Sequence, residues 1–233
     1  MFGEFKRFLK EIDFVLGPTF KNMGFKRKSN DYIRIVNNQI LQVINLQKTS
    51  SNNSNRVMIN VTSVPMFSNC RMSIRWIEEG KQDWDIKDIK YISDIISTIL
   101  EKFKNIVSYE KLLLSYEKYI LNPPKISSEP LVDWSLEKGL YYTYGYSMFY
   151  DICIRLDRKD LLASALEQEK EKIKDLELYF LKTDGNSKQE YINSLKEQNK
   201  TFEKNVEKNY DEIRDKLIEN ELINLKKSKK FMV

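Results

Sequence analysis

The sequence predicts an α+β protein in which an antiparallel sheet of three to four strands packs against helices and is followed by a mostly α-helical C-terminal region. Two observations predict this order. Short β-rich runs separated by turn residues occupy part of the first half of the 233-residue chain, and apolar residues at helical spacing dominate the second half. This length supports one substantial core, or a small domain that carries a helical extension.

Three runs have the composition of strands: residues 31–36, 40–48 and 56–64. A tight Asn-Asn link joins the first two runs, and a loose Ser/Asn-rich stretch joins the second to the third. Because short links connect neighbouring strands, the pattern predicts an antiparallel meander. Residues 71–77 are the candidate fourth strand.

Period-two alternation along these strands predicts one apolar face and one polar face. The predicted apolar face carries Ile33, Ile35, Ile40, Ile44, Leu46, Val57, Ile59 and Val61. The predicted polar face carries Tyr32, Arg34, Asn45, Gln47, Arg56, Met58, Asn60 and Thr62. We expect helices to bury the first face and solvent to reach the second, so binding residues are expected on the polar face.

Helices are predicted before and after the strands. Apolar spacing predicts a helix over residues 2–16, ended by a bend at Gly17-Pro18, and two further helices between residues 86 and 121.

A stretch rich in proline and serine then marks a boundary at residues 122–130. We therefore predict an α+β domain over residues 1–122 and a helical region of about three helices over residues 131–233.

The three C-terminal helices are expected near residues 131–156, 158–182 and 187–226. In the last of them Tyr191, Phe202 and Ile213 recur every eleven residues, as do Leu195, Val206 and Leu217. An eleven-residue repeat keeps one stripe on one face of a nearly straight helix. That stripe must pack on this chain or on a partner.

The composition excludes several classes of site. The chain has no histidine and two cysteines, which rules out histidine-dependent triads, zincin sites and disulfide frameworks. Its net charge of +5 is too small to demand nucleic acid. No apolar run approaches the roughly 18 residues of a membrane span, and charges near the N-terminus argue against a signal peptide. We expect a cytoplasmic protein that has no cofactor and does not associate with a membrane.

Three patterns have both a chemical and a structural interpretation. Asp83, Asp85 and Asp88 could bind Mg²⁺ or Ca²⁺. Helix capping accounts for them, with Asp83 and Asp85 where an N-cap is expected and Asp88 three residues beyond Asp85. Cys70 and Cys153 lie near arginines but have no histidine partner, which favours buried thiols.

The third pattern is a set of aromatic residues: Tyr141, Tyr142, Tyr144, Tyr146, Phe149 and Tyr150. They could stack on bases or sugars, although core packing is favoured. None of the three patterns identifies a catalytic residue or a metal ligand.

Several motifs of the first half occur in a recognisable order. An amphipathic helix is followed by Gly24-Phe25-Lys26-Arg27-Lys28, Tyr32-Ile33-Arg34, Val43 to Ser50, Val57 to Val61, Cys70 to Trp76 and Asp83-Trp84. This ordered set resembles a bacterial family known as a domain of unknown function, DUF4304. The resemblance covers about residues 1–122 and implies an α+β domain with no established activity, so it identifies no catalytic residue.

The leading functional hypothesis is a non-catalytic, cytoplasmic module that binds a protein, with immunity against a toxin as one specific form. The binding residues would be Arg34, Asn45, Gln47, Arg56 and Asn60 on the polar face, with the basic Lys26, Arg27 and Lys28 beside them.

The alternative is an enzyme without histidine, which needs a metal–carboxylate cleft or a phosphate pocket. The third hypothesis is nucleic-acid binding, which is not favoured and needs Arg34 and Arg56 to extend the basic residues into one positive stripe.

Overall fold

The computed structural model describes residues 2–49, 55–68, 74–75, 83–120, 145–183 and 189–232. The elements are α1 (Phe2–Asn22), β1 (Lys26–Lys28), β2 (Asp31–Val36), β3 (Ile40–Lys48), β4 (Arg56–Pro65), β5 (Ile74–Arg75), β6 (Trp84–Asp85), α2 (Ile89–Lys104), α3 (Tyr109–Ile120), α4 (Gly145–Arg155), α5 (Lys159–Thr183) and α6 (Gln189–Met232). This is the predicted α+β architecture. Within these ranges no helix has the length and apolar composition needed to cross a membrane.

The strands form one antiparallel sheet, which confirms the predicted meander. Strands β1, β2, β3 and β4 follow one another across the sheet, and the short β5 and β6 pair with different parts of the remaining edge of β4. The three predicted strands are β2, β3 and β4. Strand β5 covers two residues of the candidate fourth strand, and the sequence analysis missed β1 and β6.

The register of β2 against β3 divides the two faces of the sheet differently from the prediction. Tyr32 lies opposite Ile44 and Arg34 lies opposite Gln42, so Tyr32 and Arg34 share the front face with Ile44. Ile33 and Ile35 therefore lie on the back face. The predicted faces were wrong for β2, whereas the register of β3 against β4 agrees with the predicted faces of these two strands.

The length of one turn explains this error. A two-residue Asn37-Asn38 link would place Val36 opposite Gln39, but Val36 is paired with Ile40 and Gln39 belongs to the turn. The backbone N–H of Gln39 donates to the Val36 carbonyl at 2.9 Å, and both asparagines have positive φ. Because side chains alternate along a strand, one extra turn residue transfers every β2 side chain to the other face.

The front face of the sheet packs against α1 and α2. The core on this side includes Phe8 and Ile12 of α1, Ile44 and Ile59 of the sheet, and Ile96 of α2, all at most 2 % exposed. Apolar stripes at helical spacing on both helices produce this packing.

Helix α1 continues through Pro18 to Asn22, so the predicted bend at Gly17-Pro18 was wrong. Phe20 is buried and stacks on Tyr32 at 4.0 Å between ring centroids, which stabilises the additional turn. Proline has no backbone N–H, so Pro18 cannot donate the helix hydrogen bond to the Phe14 carbonyl. Phe14 and Pro18 are both exposed, so water can replace that bond.

The back face is covered by the C-terminal helices at one end of the strands. Leu41 and Val64 belong to a core that includes residues of α3, α4, α5 and α6, and Ile33, Ile35 and Val43 pack against it. In addition, the amide of Asn224 in α6 donates to the carbonyl of Met66 at 2.8 Å, just after β4. The last helix therefore packs on its own chain.

The C-terminal helices lie close to their predicted positions. Residues 131–144 of the first predicted helix, and the predicted boundary at 122–130, lie outside the described residues. In α6 the eleven-residue stripe contributes Phe202, Val206, Ile213 and Leu217 to the core. Tyr191, at the start of the same stripe, is 52 % exposed.

Arg34 joins β2 to the C-terminal end of α2. It donates to the Gln42 side chain at 2.6 Å, to the Met23 carbonyl at 2.9 Å and to the Phe103 carbonyl at 3.2 Å. Gln42 donates to the carbonyls of Phe103 and Ile106 at 3.2 and 2.8 Å. Burial lowers the pKa of the Arg34 guanidinium, while the negative end of the helix dipole favours a cation there.

Replacing Arg34 therefore tests a structural role. We expect Arg34→Ala to lower the free energy of unfolding by about 2–4 kcal/mol, because the Gln42 side-chain oxygen and the Met23 carbonyl lose this donor and the packing of a buried side chain is lost. The matched control Arg7→Ala removes an arginine whose side chain is 83 % exposed, and its effect should stay within about 0.5 kcal/mol. Chemical denaturation measures both values, and equal stability of the two variants would contradict this role.

Candidate functional site

Four polar side chains form a ladder across β2, β3 and β4 on the back face. Asn45 donates to Asp31 at 2.6 Å, and Asn60 donates to both Asn45 and Gln47 at 3.0 Å. The register produces this arrangement because Asn45 lies directly opposite both Asp31 and Asn60, while Gln47 is two residues further along β3. We call Asp31, Asn45, Gln47 and Asn60 the polar end of the back face.

The members of the polar end differ in exposure. Gln47 is exposed, Asp31 and Asn45 are half-buried, and Asn60 is 8 % exposed. The four lie further along the strands from the paired residues Leu41 and Val64, which pack in the core that the C-terminal helices form with the back face. Because the hydrogen bonds fix the side-chain orientations before binding, a partner would meet a preorganised polar surface.

The basic residues of β1 are divided between the two faces. Lys26 and Lys28 lie opposite Ile33 and Asp31, so they share the back face with the polar end. All three residues of β1 are exposed.

Arg27 lies on the front face, where its guanidinium forms an ion pair with Asp13 and donates to the Ser29 carbonyl at 2.8 Å. The Tyr32 hydroxyl also donates to Asp13, at 2.7 Å. Burial, and then this hydrogen bond, raises the pKa of Tyr32. Arg27 therefore connects the edge strand to α1 on the side away from the polar end.

Arg56 and Arg34 do not extend the basic surface of β1. Arg56 donates to a carboxylate oxygen of Asp83 at 2.7 Å and to the Asp83 carbonyl at 2.8 Å. Arg34 is on the front face and only 8 % exposed. The register places Asn45, Gln47, Asn60, Lys26, Lys28 and Arg56 on the back face, where Arg56 is paired with Asp83, and it places Arg27 and Arg34 on the front face.

The three aspartates predicted at a helix start have separate roles. Asp83 pairs with Arg56, and the Asp85 side chain accepts the backbone N–H of Lys87 at 2.9 Å. Helix α2 begins only at Ile89, after Asp88, whose side chain makes no capping hydrogen bond. The predicted capping was therefore wrong. Among the residues that the structure describes, no three acids or thiols are grouped to hold a metal ion.

Cys153 and two members of the aromatic cluster are core residues. The Cys153 thiol is fully buried, and burial raises its pKa to about 12. Phe149 and Tyr150 are buried, and Tyr150 stacks on Phe202 at 4.8 Å between centroids. Cys70, Tyr141, Tyr142 and Tyr144 lie outside the described residues.

The helical region contains a polar cluster that the sequence analysis missed. Glu169 accepts hydrogen bonds from the Tyr150 hydroxyl and the Asn199 amide, both at 2.6 Å. One turn further along α5, burial lowers the pKa of Lys172 to about 8, and its amine lies 5.6 Å from the centre of the Tyr146 ring. These residues come from α4, α5 and α6, so no spacing within one helix could have identified them.

A groove of about 500 Å³ runs between α5 and α6. Leu162, Ala163, Leu166 and Val206 are among its apolar lining residues, and a Lys170–Glu203 ion pair of 2.8 Å spans it. The lysines and glutamates along the groove are mixed in sign, so it does not select a strongly charged ligand.

Residues 16–107 match the family model for Domain of unknown function (DUF4304). This match confirms the resemblance, and the C-terminal part of the chain lies outside it. Every residue of the polar end, and both lysines beside it, lies inside the matched segment. No curated protein and no solved structure matches the chain.

The hydrogen bonds of the polar end predict unequal effects of two truncations. Asn60→Ala removes the donor that Asn45 and Gln47 share, and we expect it to lower the free energy of unfolding by about 1–2 kcal/mol. Gln47→Ala removes an exposed acceptor and should cost at most about 0.5 kcal/mol. Urea denaturation of both variants measures the difference, and the opposite order would refute the ladder.

The lowered pKa of Lys172 predicts that its contribution to stability depends on pH. Its folded pKa of about 8 lies below the ordinary 10.5, so the unfolded chain holds more protons between these values and stability rises with pH there. We expect Lys172→Met to be more stable than the natural protein at pH 7 by about 1–3 kcal/mol, since it removes a poorly solvated charge. This difference should disappear as the pH approaches 10.5.

Denaturation at several pH values measures this difference. The control Lys174→Met changes an exposed lysine that is paired with Glu171, and it should show no comparable trend. A constant difference for Lys172→Met across the pH range would rule out the expected titration.

Proposed function

We propose that this chain is a bacterial cytoplasmic module that binds a protein partner through the polar end of its sheet. The observation that carries the proposal is the hydrogen-bonded ladder of Asp31, Asn45, Asn60 and Gln47 on the back face, further along the strands from Leu41 and Val64, where the C-terminal helices pack. A toxin that this module neutralises is one specific partner of this kind.

Preorganisation supports binding at this surface. Fixing mobile polar side chains opposes association by about 0.5–1.5 kcal/mol for each ordered side chain. Here Asn45 and Asn60 are already fixed by their neighbours, so a partner can use the remaining hydrogen-bonding capacity of Gln47 and Asp31 at a smaller entropic cost.

Charge supports a partner that presents acidic groups. Lys26 and Lys28 project from the edge strand on the same face as the polar end. Exposed cations at the rim of an interface speed up encounter and favour a complementary surface more than they increase affinity. A polar surface with a cationic rim is also typical of non-obligate interfaces, which are no more apolar than the rest of a protein surface.

The decisive experiment compares three forms of the tagged 233-residue chain in capture from native lysate, with and without nuclease treatment. One is the natural protein and another is the variant Lys26→Glu/Lys28→Glu/Gln47→Arg. The control, Lys10→Glu/Lys21→Glu/Asn22→Arg, makes the same charge changes at exposed positions of α1, which covers the other face of the sheet.

We expect the natural protein and the control to retain one stoichiometric protein that the polar-end variant loses, with an affinity at least about tenfold weaker, or about 1.4 kcal/mol. Titration of the purified partner measures this ratio. Equal capture by all three forms would place the contact elsewhere on the chain. Loss of all captured material on nuclease treatment would support nucleic-acid binding instead.

A further inference from the structure

The last part of α6 exposes four lysines on one side of the helix. Residues on the opposite side hold the helix against its own chain: Ser228 is 6 % exposed, and Leu225 packs against the core of the C-terminal helices. Asn224 lies on this inner side as well, where its amide donates to the carbonyls of Met66 and Ser68. The end of α6 is therefore a docked helix, and its outer side faces solvent.

Helix phase places the exposed residues of this segment together. Successive residues are 100° apart, so the exposed side chains between residues 222 and 230 fall within an arc of about 160° that is centred opposite Ser228. This arc holds two apolar residues and four lysines: Leu222, Ile223, Lys226, Lys227, Lys229 and Lys230. We call these six residues the outer face of α6.

The outer face carries only positive charge. The segment from residue 222 to residue 232 contains no acid, and the nearest acid on the same side of the helix is Glu219, about two turns before Lys226. Within the described part of the chain, none of the four lysines takes part in an ion pair or a hydrogen bond. All four ammonium groups can therefore meet an anionic partner.

Repulsion among these lysines is unfavourable for the isolated chain. Lys226 is three residues before Lys229 and four before Lys230, and like charges at these spacings destabilise a helix. The helix dipole favours cations in the last turn, which contains Lys229 and Lys230. Lys226 and Lys227 lie before that turn, so the dipole does not account for the whole cluster. Carboxylates placed against the outer face would relieve the repulsion.

We propose that the outer face of α6 binds an acidic amphipathic segment of a partner protein, one that carries apolar side chains beside its carboxylates. Both parts of the face select this chemistry. Leu222 and Ile223, which are 55 % and 39 % exposed, require an apolar surface to cover them, whereas the lysines require carboxylates. A nucleic-acid backbone supplies charge alone, and the six residues of the face include no aromatic ring or arginine that could contact bases.

Fluorescence anisotropy of a labelled peptide with the 233-residue chain tests this surface. The peptide has about 14 residues, with leucines at helical spacing among glutamates. A second peptide has serine in place of leucine, so it keeps the charge and loses the apolar side chains. A mixed-sequence oligonucleotide with the same number of negative charges is the third ligand.

Two variants remove the two parts of the outer face separately. The lysine variant is Lys226→Gln/Lys227→Gln/Lys229→Gln/Lys230→Gln. Its control removes the same charge at exposed lysines elsewhere on α5 and α6, as Lys182→Gln/Lys200→Gln/Lys204→Gln/Lys208→Gln. The apolar variant is Leu222→Ser/Ile223→Ser, and its control is Leu178→Ser/Leu181→Ser at exposed leucines of α5. Far-UV circular dichroism and the unfolding temperature check that each variant is folded.

We expect the natural protein and both controls to bind the glutamate–leucine peptide equally, and the lysine and apolar variants to bind it at least about fivefold more weakly. The glutamate–serine peptide should bind the natural protein more weakly by a similar factor.

Three results would overturn the proposal. The first is no binding of the glutamate–leucine peptide by the natural protein up to about 500 µM, and the second is equal binding by the lysine variant and its control. The third is an apolar variant that binds as the natural protein does, or tighter binding of the oligonucleotide, which would make the face a site for anions in general or for nucleic acid. None of these substitutions changes the polar end, so the result is independent of the proposed function.

Discussion

The pairing register of β2 with β3 decides which surfaces of this protein are available for binding. Because Gln39 belongs to the turn, Arg34 lies opposite Gln42 and enters the front core, while Ile33 turns to the back face. The apolar part of the back face, around Leu41 and Val64, then packs against the C-terminal helices, and the polar end lies further along the strands. A register shifted by one residue would move Ile33 into the front core and take Arg34 to the back face, away from the end of α2.

Burying the Arg34 guanidinium beside apolar residues is unfavourable unless its N–H groups find acceptors, and the C-terminal end of α2 supplies one of these acceptors. The last carbonyls of a helix have no partner within the helix, and they carry the negative end of its dipole. Arg34 and Gln42 together satisfy the carbonyl of Phe103, and the face of the Phe25 ring lies 4.8 Å from the guanidinium carbon of Arg34. The same contacts join the C-terminal end of α2 to β2 and β3. Carbonyls without donors at a helix end are unfavourable, and so is a buried cation without acceptors. Here the buried guanidinium and the helix end each supply the partner that the other needs.

The sequence patterns were informative where one physical effect dominated. Long runs of β-branched residues predicted β2, β3 and β4, and the eleven-residue stripe predicted a packed last helix. The patterns failed where the outcome depended on one residue or on distant contacts: a three-residue turn reversed the faces of β2, and Phe20 packing on Tyr32 extended α1 through Pro18. Strand β1 has three exposed cationic residues and no β-strand pattern, so only its pairing with β2 makes it a strand. Asn45, Gln47 and Asn60 share one face of the sheet, as predicted, because β3 and β4 pair in the expected register.

The polar end belongs to a different part of the chain from the C-terminal helices that pack on the same face of the sheet. The polar end and its lysines lie within residues 16–107, the segment that matches the family model, whereas α4, α5 and α6 lie outside it. A domain limited to the matched segment would therefore carry the polar end without these helices. Because Leu41 and Val64 pack in the core that the C-terminal helices form, such a domain would expose the apolar part of the same face.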